Sequence, residues 1–318
     1  MRMEQLLLRL FVLGLVGFLM QLYHLQQTIG WNTFFSNPVM ARELHSNVKY
    51  WGYLNILNVS TLVMVAICFA NFRRVRPIFF PILLLALASA LITTDRTRFF
   101  YMVLWSLFAV LHCVGGVRLT RRHVLGLSGA TLLLFLFFVL VGNFYERKYS
   151  DRFSEHIHFQ GSATVLAEPY IYLTGSIPAL SALMEDENPM YLGKFSFSPL
   201  VKLFTLIDPT VETVQLQGKL YNVPMELNTY SYLQQFYLDW GWWGIILGPY
   251  TCGFLSCWLY LRMRRKRDFL SIYLSSLATY CCAISIFVNM FTQEATWFFA
   301  LVGLAASHYF RKDQARHA

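Results

Sequence analysis

The sequence predicts an all-α, polytopic membrane protein: about eight transmembrane helices in a single integral membrane domain, residues 1–318, with one large outer segment at residues 142–238. Three observations predict it. The chain of 318 residues is 56% hydrophobic and 17% aromatic but only 14% charged, with mean hydropathy +0.46. An ordinary soluble domain has about a quarter of its residues charged. Apolar runs of about 20 residues recur along the whole length, each long enough to cross about 30 Å of hydrocarbon. The basic residues gather in short tracts between those runs, which is a topology signal.

The first span is about Leu6 to Tyr23. It lacks a small-residue cleavage site and further runs follow, so it reads as a span and not as a cleaved signal peptide. The second runs from about Trp51 to Asn71 and ends in Arg73-Arg74-Val75-Arg76; the third covers about Pro77 to Ile92. The fourth, about Phe99 to Val114, precedes Arg118, Arg121 and Arg122, and the fifth covers about Val124 to Val141. After the long segment come the sixth, about Trp240 to Leu261, the seventh, about Phe269 to Val288, and the eighth, about Ala295 to Phe310. Within residues 142–238, Val165 to Met184 is semi-apolar and helix-like, suited to lie on the membrane surface or dip into it. Gly193–Phe197 and Ile207–Thr210 read as turns around a short helix.

Orientation follows from the basic tracts. With Arg2, Arg73–Arg76, Arg118–Arg122, Arg262–Arg267 and the tail in the cytoplasm, sixteen of the 26 basic residues, counting Arg9, lie inside with three acids, Glu4, Asp268 and Asp313. Both termini are then cytoplasmic. The net charge of +9 is thus a topology code, and no nucleic acid is expected as a partner. All six cysteines sit inside apolar runs without zinc-site spacing, so no disulfide framework, metal or cofactor is expected.

Unusual chemistry is left to the outer face. Arg96 and Arg98, at the end of the third span, could grip a pyrophosphate through their planar forks, or anchor the helix end by snorkelling to water. Arg42, after Asn37-Pro38, and Arg147, in the mixed-sign run after the fifth span, are further candidates or else solvated surface charges. Glu168, Glu226 and Asp239 are the outward carboxylates nearest the membrane by sequence. Any one could act as a general base on a sugar hydroxyl, or pair with those arginines. No Gly-rich phosphate loop, Ser-His-Asp spacing or metal signature occurs.

The stretch from Tyr221 to Gly244 organises the chain. It starts polar and hydroxyl-rich, passes Asp239, and reads as running without a break into the sixth apolar helix, with Trp240, Trp242 and Trp243 at the membrane surface. Its pieces Asn222-Val-Pro, Asn228-Thr-Tyr230 and Tyr237-Leu-Asp239-Trp-Gly-Trp-Trp-Gly244 resemble the Wzy-type O-antigen polymerases, the oligosaccharide repeat-unit polymerase family. Arg42, the Arg96 turn, a Tyr170–Gly175 helix and a Gly193-Lys-Phe-Ser-Phe turn come in the same order, so the similarity covers about Thr28 to Leu261. The chain departs from the family in having fewer spans, and in Ser231 and Asp95-Arg96 where Thr and Ser-Arg forms are commonest.

The resemblance implies a GT-C-like glycosyltransferase of the bacterial inner (cytoplasmic) membrane. It would join undecaprenyl-pyrophosphate-linked oligosaccharide repeat units at the periplasmic face, in the biosynthesis of lipopolysaccharide O-antigen or a related surface polysaccharide. Residues 142–238 would then be periplasmic. Arg96 and Arg98, with Arg42 and Arg147 behind them, would hold the leaving pyrophosphate; Asp239 or Glu168 would be the base; Tyr170, Asn228, Thr229 and Tyr230 would shape the sugar site. The implied partners are the lipid-linked oligosaccharides, membrane lipid and a chain-length regulator in the same membrane. Two other readings stay open, an O-antigen ligase-like glycosyltransferase and a polysaccharide flippase or transporter. A transporter should carry charges or broken helices at the bilayer midplane, whereas the charges here cluster at span ends and in the outer segment.

Overall fold

The computed structural model describes residues 2–36, 52–72, 79–93, 96–114, 125, 128–129, 132, 136, 170–171, 174–186, 188–205, 207–214, 221–223, 226–227 and 230–314. Two compact units divide the chain: Met1–Glu146 with Tyr260–Tyr280 and Phe299–Ala318, and Arg147–Leu259 with Cys281–Phe298. The first contains α1 (Arg2–Thr28), α2 (Trp31–Ser36), α3 (Gly52–Asn55), α4 (Leu57–Phe72), α5 (Phe79–Thr93), α6 (Arg96–Phe100), a π-helical turn (Tyr101–Trp105) and α7 (Ser106–Val114). The second contains α8 (Ser176–Glu185), α9 (Ser198–Phe204) and the strands β1 (Tyr221–Asn222) and β2 (Glu226–Leu227). Three further helices, α10 (Leu233–Lys266), α11 (Phe269–Ile284) and α12 (Glu294–Gln314), contribute residues to both units.

Helices occupy seven of the eight segments expected to span; the fifth, Val124 to Val141, lies largely outside the described residues. Glu4–Thr28, Thr97–Val114 and Leu233–Lys266 are long and apolar enough to cross a membrane, and Leu57–Ala70, Phe79–Ile92 and Phe269–Ile284 are shorter apolar helices. On α1 the side chains of Leu8, Val12, Leu13, Val16, Leu19 and Met20 are exposed. Such a face is stable against hydrocarbon and costly against water.

Small residues and buried amides pack the first unit. A Cβ on Gly14 would stand 2.0 Å from Asn58 Oδ1, and one on Gly17 2.4 Å from the Asn55 nitrogen, so only glycine lets α1 approach α3 and α4 this closely. Into that contact the buried Asn55 donates to Gln21, while Asn58 donates to Asn55 Oδ1 at 2.7 Å and to the Gly14 carbonyl at 3.3 Å. Polar contacts of this kind between apolar helices contribute about 1 kcal/mol each. Elsewhere Trp105 is fully buried against the rings of Tyr101, Tyr273 and Phe299, and its indole donates to Ser276 Oγ at 3.0 Å. The Tyr273 hydroxyl lies 2.7 Å from Ser60 Oγ and donates to the Phe299 carbonyl at 3.2 Å. Every indole and phenol polar atom in that aromatic core that comes from Trp105 or Tyr273 therefore has a partner, as burial demands.

In the second unit one expectation is corrected. The passage into the sixth span does break: Trp240 (φ −137°, ψ 15°) and Gly241 (φ 59°, ψ −139°) leave the helical region, so α10 is two helices, residues 233–239 and 242–266. Glycine alone adopts the Gly241 conformation without strain. Beyond the bend, a Cβ on Gly244 would stand 1.8 Å from the Phe236 carbonyl oxygen, and one on Gly248 2.3 Å from the Phe236 ring. In a continuous helix residues 236 and 248 would be about 18 Å apart. The first helix therefore folds back against the second, and the bare faces of Gly244 and Gly248 make room for Phe236.

Candidate functional site

The bend is held by Asp239, the last residue before it. Its carboxylate is fully buried; Oδ1 accepts from the Phe195 N–H at 3.1 Å and Oδ2 from the Ser196 N–H at 2.7 Å. A helix that stops leaves its last carbonyls unpaired. Here the Leu238 and Asp239 carbonyls accept from the Tyr191 N–H (3.0 Å) and the Leu192 N–H (3.2 Å). Leu192 (φ 50°) and Gly193 (φ 93°) turn the donor chain back on itself. A side chain on Gly193 would press on the rings of Phe197 and Trp240, at 3.2 and 3.3 Å. The Gly193–Phe197 turn and the Tyr237–Gly244 stretch, far apart in sequence, are thus one interlocked piece. With both oxygens on backbone amides and no contact with solvent, Asp239 positions this piece.

Continuous with this clamp through Phe195, Tyr191 and Leu238 is a cluster of Ala179, Leu180, Leu183, Phe195, Tyr230 and Leu238, with Tyr191, Tyr221, Leu233 and Tyr237 packed against it. Residues 179, 180 and 183 share one face of α8 at helical spacing. Two phenols reach the end of that helix: Tyr237 donates to the Met184 carbonyl at 3.4 Å, and Tyr221 donates to the Asp186 carboxylate. Tyr221 stands edge-on to Tyr230 at 6.0 Å, in a short antiparallel hairpin that pairs Tyr221 with Leu227 and Asn222 with Glu226. Burial and then the Asp186 charge push the Tyr230 phenol up to about 12. The Tyr221 phenol is pushed up by burial, by its bond to Asp186 and by the same charge. Asp186 is a carboxylate that sequence reasoning passed over; its signal was the acidic run Glu185-Asp186-Glu187 before Asn188-Pro189.

A third element is the turn before α12. Asn289 accepts from the Phe291 N–H at 3.1 Å and caps a 3-10 turn, Met290–Thr292. The Thr292 hydroxyl donates to Gln235, and its carbonyl accepts from Ser198 Oγ at 3.0 Å. Lys202 on α9 pairs with Glu294 at 2.5 Å. The turn therefore bonds both to the 233–239 helix and to α9.

Of the residues expected at a site, Tyr230 and Asp239 fall in this assembly, Tyr230 buried among the apolar cluster and Asp239 at its clamp. Tyr170 is exposed on a helical turn leading into α8, where the Gly175 N–H donates to the Ile171 carbonyl at 2.7 Å. Arg98 belongs to the first unit, where its Nη1 donates to the buried Ser89 at 3.2 Å, nine residues back along α5. Arg96 opens α6. Arg42, Arg147, Glu168, Asn228 and Thr229 lie outside the described residues. Among the described residues no group of three His, Cys, Asp or Glu side chains gathers as metal ligands would. No protein-family model, curated protein or solved structure matches the chain.

Proposed function

We propose that this chain is an inner-membrane polysaccharide polymerase, joining undecaprenyl-pyrophosphate-linked oligosaccharide repeat units at the outer face of the membrane. One observation supports the reading above the rest. The Gly193–Phe197 turn and the Tyr237–Gly244 stretch, which carry the family resemblance, interlock through the two hydrogen bonds from Phe195 and Ser196 to the Asp239 carboxylate, flanked by those from Tyr191 and Leu192 to the Leu238 and Asp239 carbonyls. Tyr230, from a third such stretch, packs in the same cluster.

In this reading the acceptor hydroxyl oxygen attacks the anomeric carbon of the growing glycan, and the bond from that carbon to the pyrophosphate oxygen breaks. Arg96 and Arg98, with Arg42 and Arg147, take up the charge developing on the pyrophosphate. Arg98 presents its N–H donors in a rigid fork, and its Nη1 donates to Ser89 Oγ. Glu168 receives the hydroxyl proton. Asp239 is a positioning residue, since its two oxygens are engaged by backbone amides. Asn228, Thr229 and Tyr230 shape the sugar site, with Tyr170 beside them.

A deletion strain tests it. Loss of this chain should leave lipopolysaccharide capped with a single repeat, and chains carrying Arg96→Ala or Arg98→Ala should fail to restore the ladder. Uncapped core with carrier-linked polymer would make it a ligase instead, and absence of any outward repeat would make it a transporter.

A further inference from the structure

We infer that α9, with Ile207 just beyond it, lies in the interfacial layer of the outer leaflet, with Leu200, Leu203, Phe204 and Ile207 turned into phospholipid acyl chains. Leu200, Leu203 and Phe204 follow the i, i+3, i+4 spacing of one helical stripe, and Ile207 lies in the turn beyond the helix, where its N–H donates to the Phe204 carbonyl at 2.9 Å. All four are exposed, from 38% for Leu200 to 78% for Ile207. At 100° per residue, Ser198, Lys202 and Thr205 fall on the opposite side. That opposite side is the one tied to the protein, through Ser198 to Thr292 and Lys202 to Glu294. The segment is therefore amphipathic, with its polar face docked and its apolar face uncovered.

Depth decides what covers it. The turn entering α9 is fastened by Asp239 to the bend at which the 242–266 helix begins. The Ser198 and Lys202 bonds fasten α9 to the residues that open α12. Both of those helices start at this level. The first starts with exposed Trp242 and Trp243 and goes on with Ile246, Leu247, Phe254 and Leu255 exposed. Tryptophans at the start of a helix long and apolar enough to cross a membrane mark a bilayer interface. Pinned at that level, an apolar stripe meets the boundary of headgroups and acyl chains, where short amphipathic helices bind. This inference rests on the membrane reading of the 242–266 helix and not on the glycan chemistry, so either can fail without the other.

The test uses the full chain, with its native cysteines changed to alanine, in nanodiscs of phosphatidylethanolamine and phosphatidylglycerol. Single substitutions Leu200→Cys, Leu203→Cys, Phe204→Cys, Ile207→Cys, Lys202→Cys and Thr205→Cys carry a nitroxide. The expected result is that oxygen accessibility rises and that of a water-soluble nickel chelate falls at 200, 203, 204 and 207 relative to 202 and 205. Nickel accessibility at all six positions would overturn the inference in favour of water. Exclusion of both reagents with spin–spin broadening would overturn it in favour of a second copy of the chain. A chain with its cysteines intact and benzoylphenylalanine at position 204 gives an independent check: on irradiation it should form a phospholipid adduct. A cross-linked dimer, or no lipid adduct, would contradict the inference.

Discussion

Replacing Asp239 by alanine should release the turn at residues 191–197 while leaving the first unit folded. The Phe195 and Ser196 amides would lose acceptors at 3.1 and 2.7 Å in a site with no solvent contact. A buried donor left unpaired costs about 1–3 kcal/mol, so the pair is held by about 2–6 kcal/mol. At one tenfold step per about 1.4 kcal/mol, even the lower figure gives roughly 30-fold faster opening. Hydrogen–deuterium exchange in nanodiscs reads this directly. Peptides covering 191–197 should exchange at least about 30-fold faster in Asp239→Ala, with α4 unchanged. Asp239→Asn keeps one acceptor oxygen but faces the other amide with an N–H, and should fall between the two. Unchanged protection in Asp239→Ala would refute the clamp. Should Asp239→Asn abolish activity with exchange unaltered, a role in the chemistry would replace the positioning role.

The bend gives a second prediction. Gly241→Ala should lower the unfolding midpoint, since strained backbone of this type costs about 1–3 kcal/mol, whereas Gly253→Ala, with nothing within 4 Å, should be close to neutral. Gly248→Ala should destabilise alone and be relieved by Phe236→Ala in the same chain, a non-additive cycle of at least about 0.5 kcal/mol; additive effects would show that the ring does not press on Gly248. The Lys202–Glu294 pair is partly exposed, so Lys202→Ala should cost no more than about 1 kcal/mol and less in high salt. Alkaline titration tests the Tyr230 environment. Its folded-state value is raised to about 12 from the ordinary 10, so its contribution is complete below pH 10 and is lost as pH climbs through 12. Denaturation midpoints followed from pH 9 to 12 should therefore fall less steeply in Tyr230→Phe, with an ultraviolet phenolate step near pH 12 missing.

Hydropathy made the helices legible because a long apolar run pairs its backbone groups within itself most simply as a helix. Segments expected near Trp51–Asn71 and Phe269–Val288 appear as Leu57–Phe72, preceded by Gly52–Asn55, and as Phe269–Ile284. The short helix between two turns within residues 142–238 was visible too, because Gly193 and Pro209 punctuate an apolar run. What escaped was the bend. Trp240 and Gly241 sit inside a stretch apolar enough to pass for one helix, and Gly241 alone does not say whether a chain kinks. The role of Asp239 escaped for a different reason. Its partners are backbone amides 43 and 44 residues away, and backbone groups carry no sequence signature. Asp186 and Tyr221 meet across 35 residues for the same reason. By contrast, the family resemblance rested on short pieces whose proximity no spacing argument could supply, and two of them join at the Asp239 clamp.

The most direct measurement reconstitutes the purified full chain with a single defined undecaprenyl-pyrophosphate-linked repeat and resolves the products by size. A ladder spaced by one repeat, formed with release of undecaprenyl pyrophosphate and lost in Arg96→Ala and Arg98→Ala, is the predicted result. Substrate left at one repeat by a folded chain, or glycan moved only onto lipid A core, would contradict the account.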